Sequence, residues 1–105
     1  MALYRLNLNK KSLTEDHPTG AEVQGKMLAI VLHKGKVYAM NGICAHAGGP
    51  LDKGRVDGDK LICPWHRGAY FIETGKADPK TPWVHDTETH KIVEDDKTGE
   101  LSVEL

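Results

Sequence analysis

Hydrophobic positions along this chain come in short runs, many with the two-residue period of a β-strand. In "LYRLNLN", Leu3 falls on one face while Tyr4, Leu6 and Leu8 share the other, which predicts an edge-type strand. Residues 9–20 are polar, contain Pro18 and Gly20, and read as loop. The continuous apolar run "MLAIVL" (27–32) predicts a buried strand, and the turn His33–Lys36, with Gly35, leads into "VYAM" (37–40) to complete a hairpin. Turn signals then follow at short intervals: Asn41-Gly42, Gly48-Gly49-Pro50, Asp57-Gly58, Thr74-Gly75, Pro79, Pro82 and Thr98-Gly99. Between them lie strand candidates at Lys60–Cys63, Ala69–Ile72, His90–Glu94 and Glu100–Leu105, the last with Leu101, Val103 and Leu105 on one face. No window sustains a helical period over three turns. The predicted fold class is all-β, a small antiparallel sandwich or barrel.

Composition narrows the function classes. A chain of 105 residues that is 39% hydrophobic and 28% charged is neither disordered nor membrane-embedded in character, and is expected to form one small domain. A net charge of -1 gives no reason to expect nucleic acid as a partner. "MALYRLNLNK" lacks the apolar run of a signal peptide and no segment approaches a membrane span, so a soluble cytoplasmic protein with no membrane partner is expected. Two cysteines cannot build the disulfide framework of a small secreted domain.

The candidate chemistry lies where histidines accompany those cysteines. Cys44-Ala45-His46 is followed, after the 16 residues 47–62, by Cys63-Pro64-Trp65-His66. Both pairs fall in Gly/Pro-rich turns after predicted strands, which suits ligands that converge on one point. Two thiolates and two imidazoles can hold a tetrahedral zinc or a mixed-ligand iron–sulfur cluster; the bland alternative is two buried structural cysteines with incidental histidines. Zinc fingers usually take a cysteine pair from one element and a histidine pair from another. Here each loop contributes one of each, an arrangement suited to a two-metal centre in which one iron takes both thiolates and the other both imidazoles. His17, His33, His85 and His90 stand outside the pattern and read as surface or strand histidines. The run "EDDK" (94–97) reads as a solvated turn.

The two Cys–His pairs resemble the Rieske 2Fe-2S motif, and the likeness extends through "MLAIVLHKGKVYAMNGICAHAGGPLDKGRV" and "LICPWHRGAYFIETGKA", about residues 23–77. The resemblance implies a Rieske-type antiparallel β-sandwich, a single domain over 1–105, in which a two-loop cluster-binding subdomain of about residues 43–82 is inserted in a base sandwich. It implies one 2Fe-2S cluster, with Cys44 and Cys63 on one iron and His46 and His66 on the other. The function it implies is that of a stand-alone ferredoxin, a one-electron carrier and not itself an enzyme. Its donor would be a flavin-dependent reductase and its acceptor a terminal oxygenase or another redox protein. The alternative is the small Rieske-like subunit of an assimilatory NAD(P)H nitrite reductase. Length and the absence of an apolar N-terminal helix lead us to expect neither an oxygenase subunit nor the anchored subunit of a cytochrome bc complex.

Neutral imidazoles in place of two thiolates leave the oxidised centre near zero formal charge. Adding an electron is then easier than in a four-cysteine cluster, and potentials of the class lie between roughly -150 and +300 mV. Neighbouring residues place this chain within that range. Cytochrome bc Rieske proteins carry an extra cysteine in each loop; here Ala47-Gly48-Gly49 and Trp65 occupy those regions. Those proteins also carry a serine two residues after the last histidine, where this chain has Gly68. Both absences point to a lower potential. Tyr70 works the other way if its hydroxyl donates to a cluster thiolate, that of Cys44; the alternative is a core aromatic with its hydroxyl in solvent. Gly48, with Gly49 and Pro50, lets backbone N–H groups approach the cluster sulfurs. The family commonly has glycine where this chain has Arg67, which reads as a solvated side chain or a partner contact. "DPKTPW" (78–83) resembles the family's proline-containing loop that covers the cluster, and Trp83 packs either there or in the core.

Overall fold

The computed structural model describes residues 2–43, 50–65 and 67–105. Among them the chain forms β1 (Leu3–Asn9), β2 (Thr19–Val23), β3 (Lys26–His33), β4 (Lys36–Asn41), β5 (Arg55–Asp57), β6 (Lys60–Ile62), β7 (Ala69–Phe71), β8 (Thr89–His90), β9 (Ile92–Glu94) and β10 (Glu100–Glu104). They make three antiparallel sheets, ordered β1-β10-β9, β2-β3-β4-β8 and β5-β6-β7. No α-helix occurs among the described residues, only 3-10 turns at Lys10–Ser12 and Leu51–Lys53. Among the described residues no helix is long and apolar enough to cross a membrane.

The apolar run predicted as a buried strand is continuous because β3 is covered on both sides. Leu28 and Ile30 join Leu6, Val23, Val37, Ala39, Leu101 and Val103 in one core, under the β1-β10-β9 sheet. The alternate residues Ala29 and Val31 join Met40, Leu51, Leu61, Cys63, Tyr70, Ile72 and Val84 in a second core, under the β5-β6-β7 sheet. Successive side chains of a strand point to opposite faces, so a strand in the middle layer needs apolar residues at every position. Each large side chain buried there contributes roughly 1.5–3 kcal/mol.

The alternation in β1 places Leu6 inside and Leu3 outside, and β1 is an edge strand. The β3–β4 turn has Lys34 at φ 51° and Gly35 at φ 77°, the left-handed pair that a two-residue hairpin requires. Two strands were not legible in the sequence. β2 begins inside the stretch read as loop, because "TGAEV" offers one well-buried residue and no clear alternation. β5 has three residues and shows no period. The segment predicted as one strand at His90–Glu94 is divided between β8 and β9, which belong to different sheets.

His33, at the end of β3, is a buried strand histidine that locks the layers together. It lies two residues beyond Val31, on the face turned toward the β5-β6-β7 sheet. Nδ1 is 2.6 Å from Asp16 Oδ1, and Nε2 is 2.9 Å from Asp59 Oδ1 in the β5–β6 turn. Asp59 also pairs with Lys34 at 2.9 Å, and the Lys34 backbone N–H donates to Glu15. Ionised carboxylates only accept hydrogen bonds, so both contacts together require a doubly protonated imidazolium. The bonds to Asp16 and then Asp59 raise the His33 pKa above its ordinary value, against the opposing effect of burial. A raised folded-state pKa gives stability that is fully present below the unfolded value of about 6.5 and lost as pH rises through the folded value. The urea midpoint of the wild type should therefore fall as pH is raised through neutrality into the alkaline range. His33→Gln should start lower and show a flatter profile; parallel profiles would remove His33 as the titrating group.

Candidate metal centre

The β6–β7 hairpin builds one half of the site. Ile62 pairs with Ala69, and the Cys63 N–H donates to the Gly68 carbonyl at 2.7 Å, extending the ladder by one step. Cys63 and Gly68 thereby form a neck, beyond which Pro64, Trp65 and Arg67 are exposed. The other half leaves β4 in the same way: Ile43 and Pro50 form an antiparallel bridge, and the Leu51 N–H donates to the Gly42 carbonyl at 2.8 Å. Cys44, His46 and Gly48 fall within the segment between Ile43 and Pro50, and His66 in the β6–β7 loop; these four lie outside the described residues. What the structure does establish is that both necks rest on one core, where Met40 and Leu51 pack with Cys63 and Tyr70.

Cys63 is fully buried. Tyr70 is the largest fully buried side chain among the described residues, so the reading that leaves its hydroxyl in solvent does not hold. No buried side-chain nitrogen or oxygen among the described residues lacks a hydrogen-bond partner. Trp65 lies on the loop surface with half its area exposed. Trp83 is 42% exposed, which excludes it from the core; the neighbouring Val84 is buried there instead. No periodicity in "TPWVHD" distinguishes the two.

Gly68 is needed for contact. A Cβ at this position would lie 2.4 Å from Val84 Cγ1, so any side chain, serine included, forces the buried Val84 side chain to shift. The 78–84 loop is fastened from both ends. The Asp78 N–H donates to the Ala69 carbonyl at 2.9 Å, the Ala69 N–H donates to Thr81 Oγ1 at 3.3 Å, and Lys60 Nζ lies 2.7 Å from Asp78 Oδ2. Lys60, followed by the Lys80 N–H, lowers the Asp78 pKa and keeps the carboxylate charged. Arg67 is exposed and has φ 54°, a left-handed conformation that favours glycine. The structure thus explains why glycine is common here, and the arginine costs of order 1 kcal/mol in backbone strain.

A buried thiol at a hairpin neck, with a histidine three residues on in the sequence, fits a metal–sulfur group, because the sulfur is screened from water. One further grouping of potential ligands exists among the described residues, Glu15, Asp16 and His33. Both imidazole nitrogens of His33 are already engaged by carboxylates, which leaves that cluster as the ionic lock described above.

Residues 5–91 match the family described as the Rieske [2Fe-2S] domain. A protein from Ralstonia sp., named as the ferredoxin component of naphthalene 1,2-dioxygenase/salicylate 5-hydroxylase systems, is 31% identical over 80 residues, 76% of each chain. The solved structure of the ferredoxin of carbazole 1,9a-dioxygenase from Nocardioides aromaticivorans IC177 superposes with a TM-score of 0.87. It covers 98% of this chain and 97% of that one at 27% identity. A structure described as the small subunit of an NADH-dependent nitrite reductase from Mycobacterium tuberculosis gives a TM-score of 0.83 over 97% and 93% of the two chains. At 15% identity that likeness is one of fold alone.

Gly68→Ala should lower stability by about 1–3 kcal/mol, the usual cost of overpacking a close contact. Urea unfolding checks this, and Gly68→Ala/Val84→Ala should be closer to Val84→Ala alone than additivity allows. Strictly additive losses would show that the two positions do not press on one another.

Proposed function

This chain belongs to the Rieske [2Fe-2S] domain family, and on that premise we propose that Cys44 and Cys63 hold one iron, and His46 and His66 the other, of a single [2Fe-2S] cluster. The ligands are carried by a subdomain of about residues 43–82 inserted in the base sandwich. The observation that carries this reading is the placement of Cys63, fully buried at the neck of a hairpin loop and sharing its core with the flanks of the Cys44–His46 loop. Bound there, the cluster supplies reversible one-electron chemistry at a potential set by its mixed ligands.

The protein's own contribution is mechanical and electrostatic. β6 and β7 fix the Cys63 backbone through the Gly68 carbonyl. Tyr70, Leu51 and Val84 exclude water from the sulfur side, and the 78–84 loop closes against Gly68. Rigid packing of the thiolate side leaves little to rearrange when charge changes. Gly48, Trp65, Gly68 and Tyr70 surround the ligands in this reading, with the Tyr70 hydroxyl donating to the Cys44 thiolate.

The protein is an electron carrier and not itself an enzyme. The dioxygenase-system ferredoxins it resembles support an oxygenase as acceptor; a flavin-dependent reductase is the donor of this reading, and the cytoplasm its setting. The test uses cluster-loaded protein, NADH and the flavoprotein reductase of a ring-hydroxylating dioxygenase system, with visible absorbance as readout. Bleaching that needs both NADH and reductase, and recovers on adding the oxygenase component, is the expected result. Protein that dithionite bleaches but the reductase does not would overturn this choice of donor.

Tyr70→Phe should lower the midpoint potential. A hydrogen bond about 1 kcal/mol stronger in the reduced state corresponds to roughly 40 mV for one electron. An unchanged midpoint would remove Tyr70 from the tuning of the cluster.

A further inference from the structure

A cleft of about 350 Å³ opens beside the Cys63 loop, and three of the residues lining it are Lys53, Arg55 and Arg67, together with Ile62, Cys63 and Pro64. None of its lining residues is acidic. The nearest acidic neighbour in sequence, Asp52, is turned elsewhere, its carboxylate packed at Gly20 of β2. Arg5, Lys10, Lys26, Lys34 and Lys60 are each within 4 Å of a carboxylate; Lys53, Arg55 and Arg67, like Lys11, Lys36, Lys76, Lys80, Lys91 and Lys97, make no ion pair among the described residues, but these three line one cleft. Asp57, two residues beyond Arg55, is opposite Lys60 in the β5–β6 ladder.

Two further observations bear on these charges. The first is the cost of Arg67, which holds a left-handed φ of 54° where glycine would be unstrained. The second is the asymmetry of the whole molecule. Without these three cations, 11 basic side chains remain against 15 acidic ones, so the rest of the chain is net acidic while the cleft lining carries three positive charges and no negative one.

We propose that this cleft docks carboxylate side chains from an acidic surface patch of the protein redox partner. The proposal rests on the electron-carrier reading of the same site and specifies the partner's chemistry. Aspartate or glutamate side chains entering between Lys53, Arg55 and Arg67 would lie against the residues flanking Cys63. The partner's surface would then be steered to the cluster end of the molecule rather than to its acidic remainder.

The test follows oxidation of the reduced, cluster-loaded protein by ferricyanide, a trianion, and by tris(phenanthroline)cobalt(III), a trication, in stopped flow. Net charge alone predicts that ferricyanide is repelled, so that its rate rises with salt. Docking at the cleft predicts the opposite: a fall of about threefold or more between about 10 and 100 mM ionic strength, as the screening length shortens from about 30 to 10 Å. Lys53→Gln/Arg55→Gln/Arg67→Gln should remove most of that dependence and leave the cobalt rate undiminished. Arg55→Gln and Arg67→Gln singly should each remove part, which keeps the test intact if the triple variant folds poorly. Poly-glutamate should inhibit ferricyanide oxidation of the wild type only, and inorganic phosphate at matched ionic strength should not. A ferricyanide rate that rises with salt in the wild type overturns the proposal; inhibition by phosphate as strong as by poly-glutamate makes the cleft a small-anion site instead. Wild-type protein that takes up no cluster under reconstitution fails the carrier reading itself, and the absent visible spectrum identifies that outcome before any rate is measured.

Discussion

The structure depends on burial of the β3–β4 hairpin on both of its faces. One face completes the base core with Leu6, Leu101 and Val103, and the other completes the core beneath the β5-β6-β7 sheet with Leu61, Cys63, Tyr70 and Ile72. A small domain has little apolar surface to spare, and a shared middle layer lets one pair of strands serve two cores. It also couples them: the packing that stabilises the base sandwich is continuous, through β3, with the packing that positions Cys63. Cys63 is therefore held by the same packed strands that stabilise the fold.

Charged groups supplement that packing at two places, and a third group stands apart. His33 joins β3 to Asp16 and Asp59 and ties the turn of one sheet to the strand of another. Lys60 and Asp78 hold the 78–84 loop to the base of β6. Lys53, Arg55 and Arg67 have no such internal partner among the described residues and face the cleft beside Cys63. The first two groups fix geometry; the third is the one proposed to dock a partner's carboxylates.

Much of this was legible in the sequence, for physical reasons that differ by element. The β3–β4 hairpin announced itself because a strand covered on both faces must be apolar at every position and its turn needs a glycine at positive φ. The two Cys–His pairs stand out in the sequence because metal chemistry restricts residue type more narrowly than packing does, and of these four residues the structure describes Cys63. β2 and β5 were not legible, since short strands in "TGAEV" and "RVD" carry no period strong enough to outweigh their loop-like composition. Nor was the role of His33, whose burial follows from β3 being a middle strand and whose partners are 17 and 26 residues away in sequence. Trp83 and Val84 show the same limit: both are apolar, and only the close approach of the loop to Gly68 decides that the valine turns inward.

The central claim is that two cysteines and two histidines on two loops hold a mixed-ligand two-iron cluster. Electron paramagnetic resonance on anaerobically purified protein, before and after dithionite and with iron and sulfide assays alongside, tests it most directly. The account predicts about two irons and two sulfides per chain. It also predicts a rhombic signal that appears only on reduction, with an average g value below that of four-cysteine ferredoxins. A colourless, silent protein that contains zinc in place of iron, and stays so after anaerobic reconstitution with iron and sulfide, would contradict it.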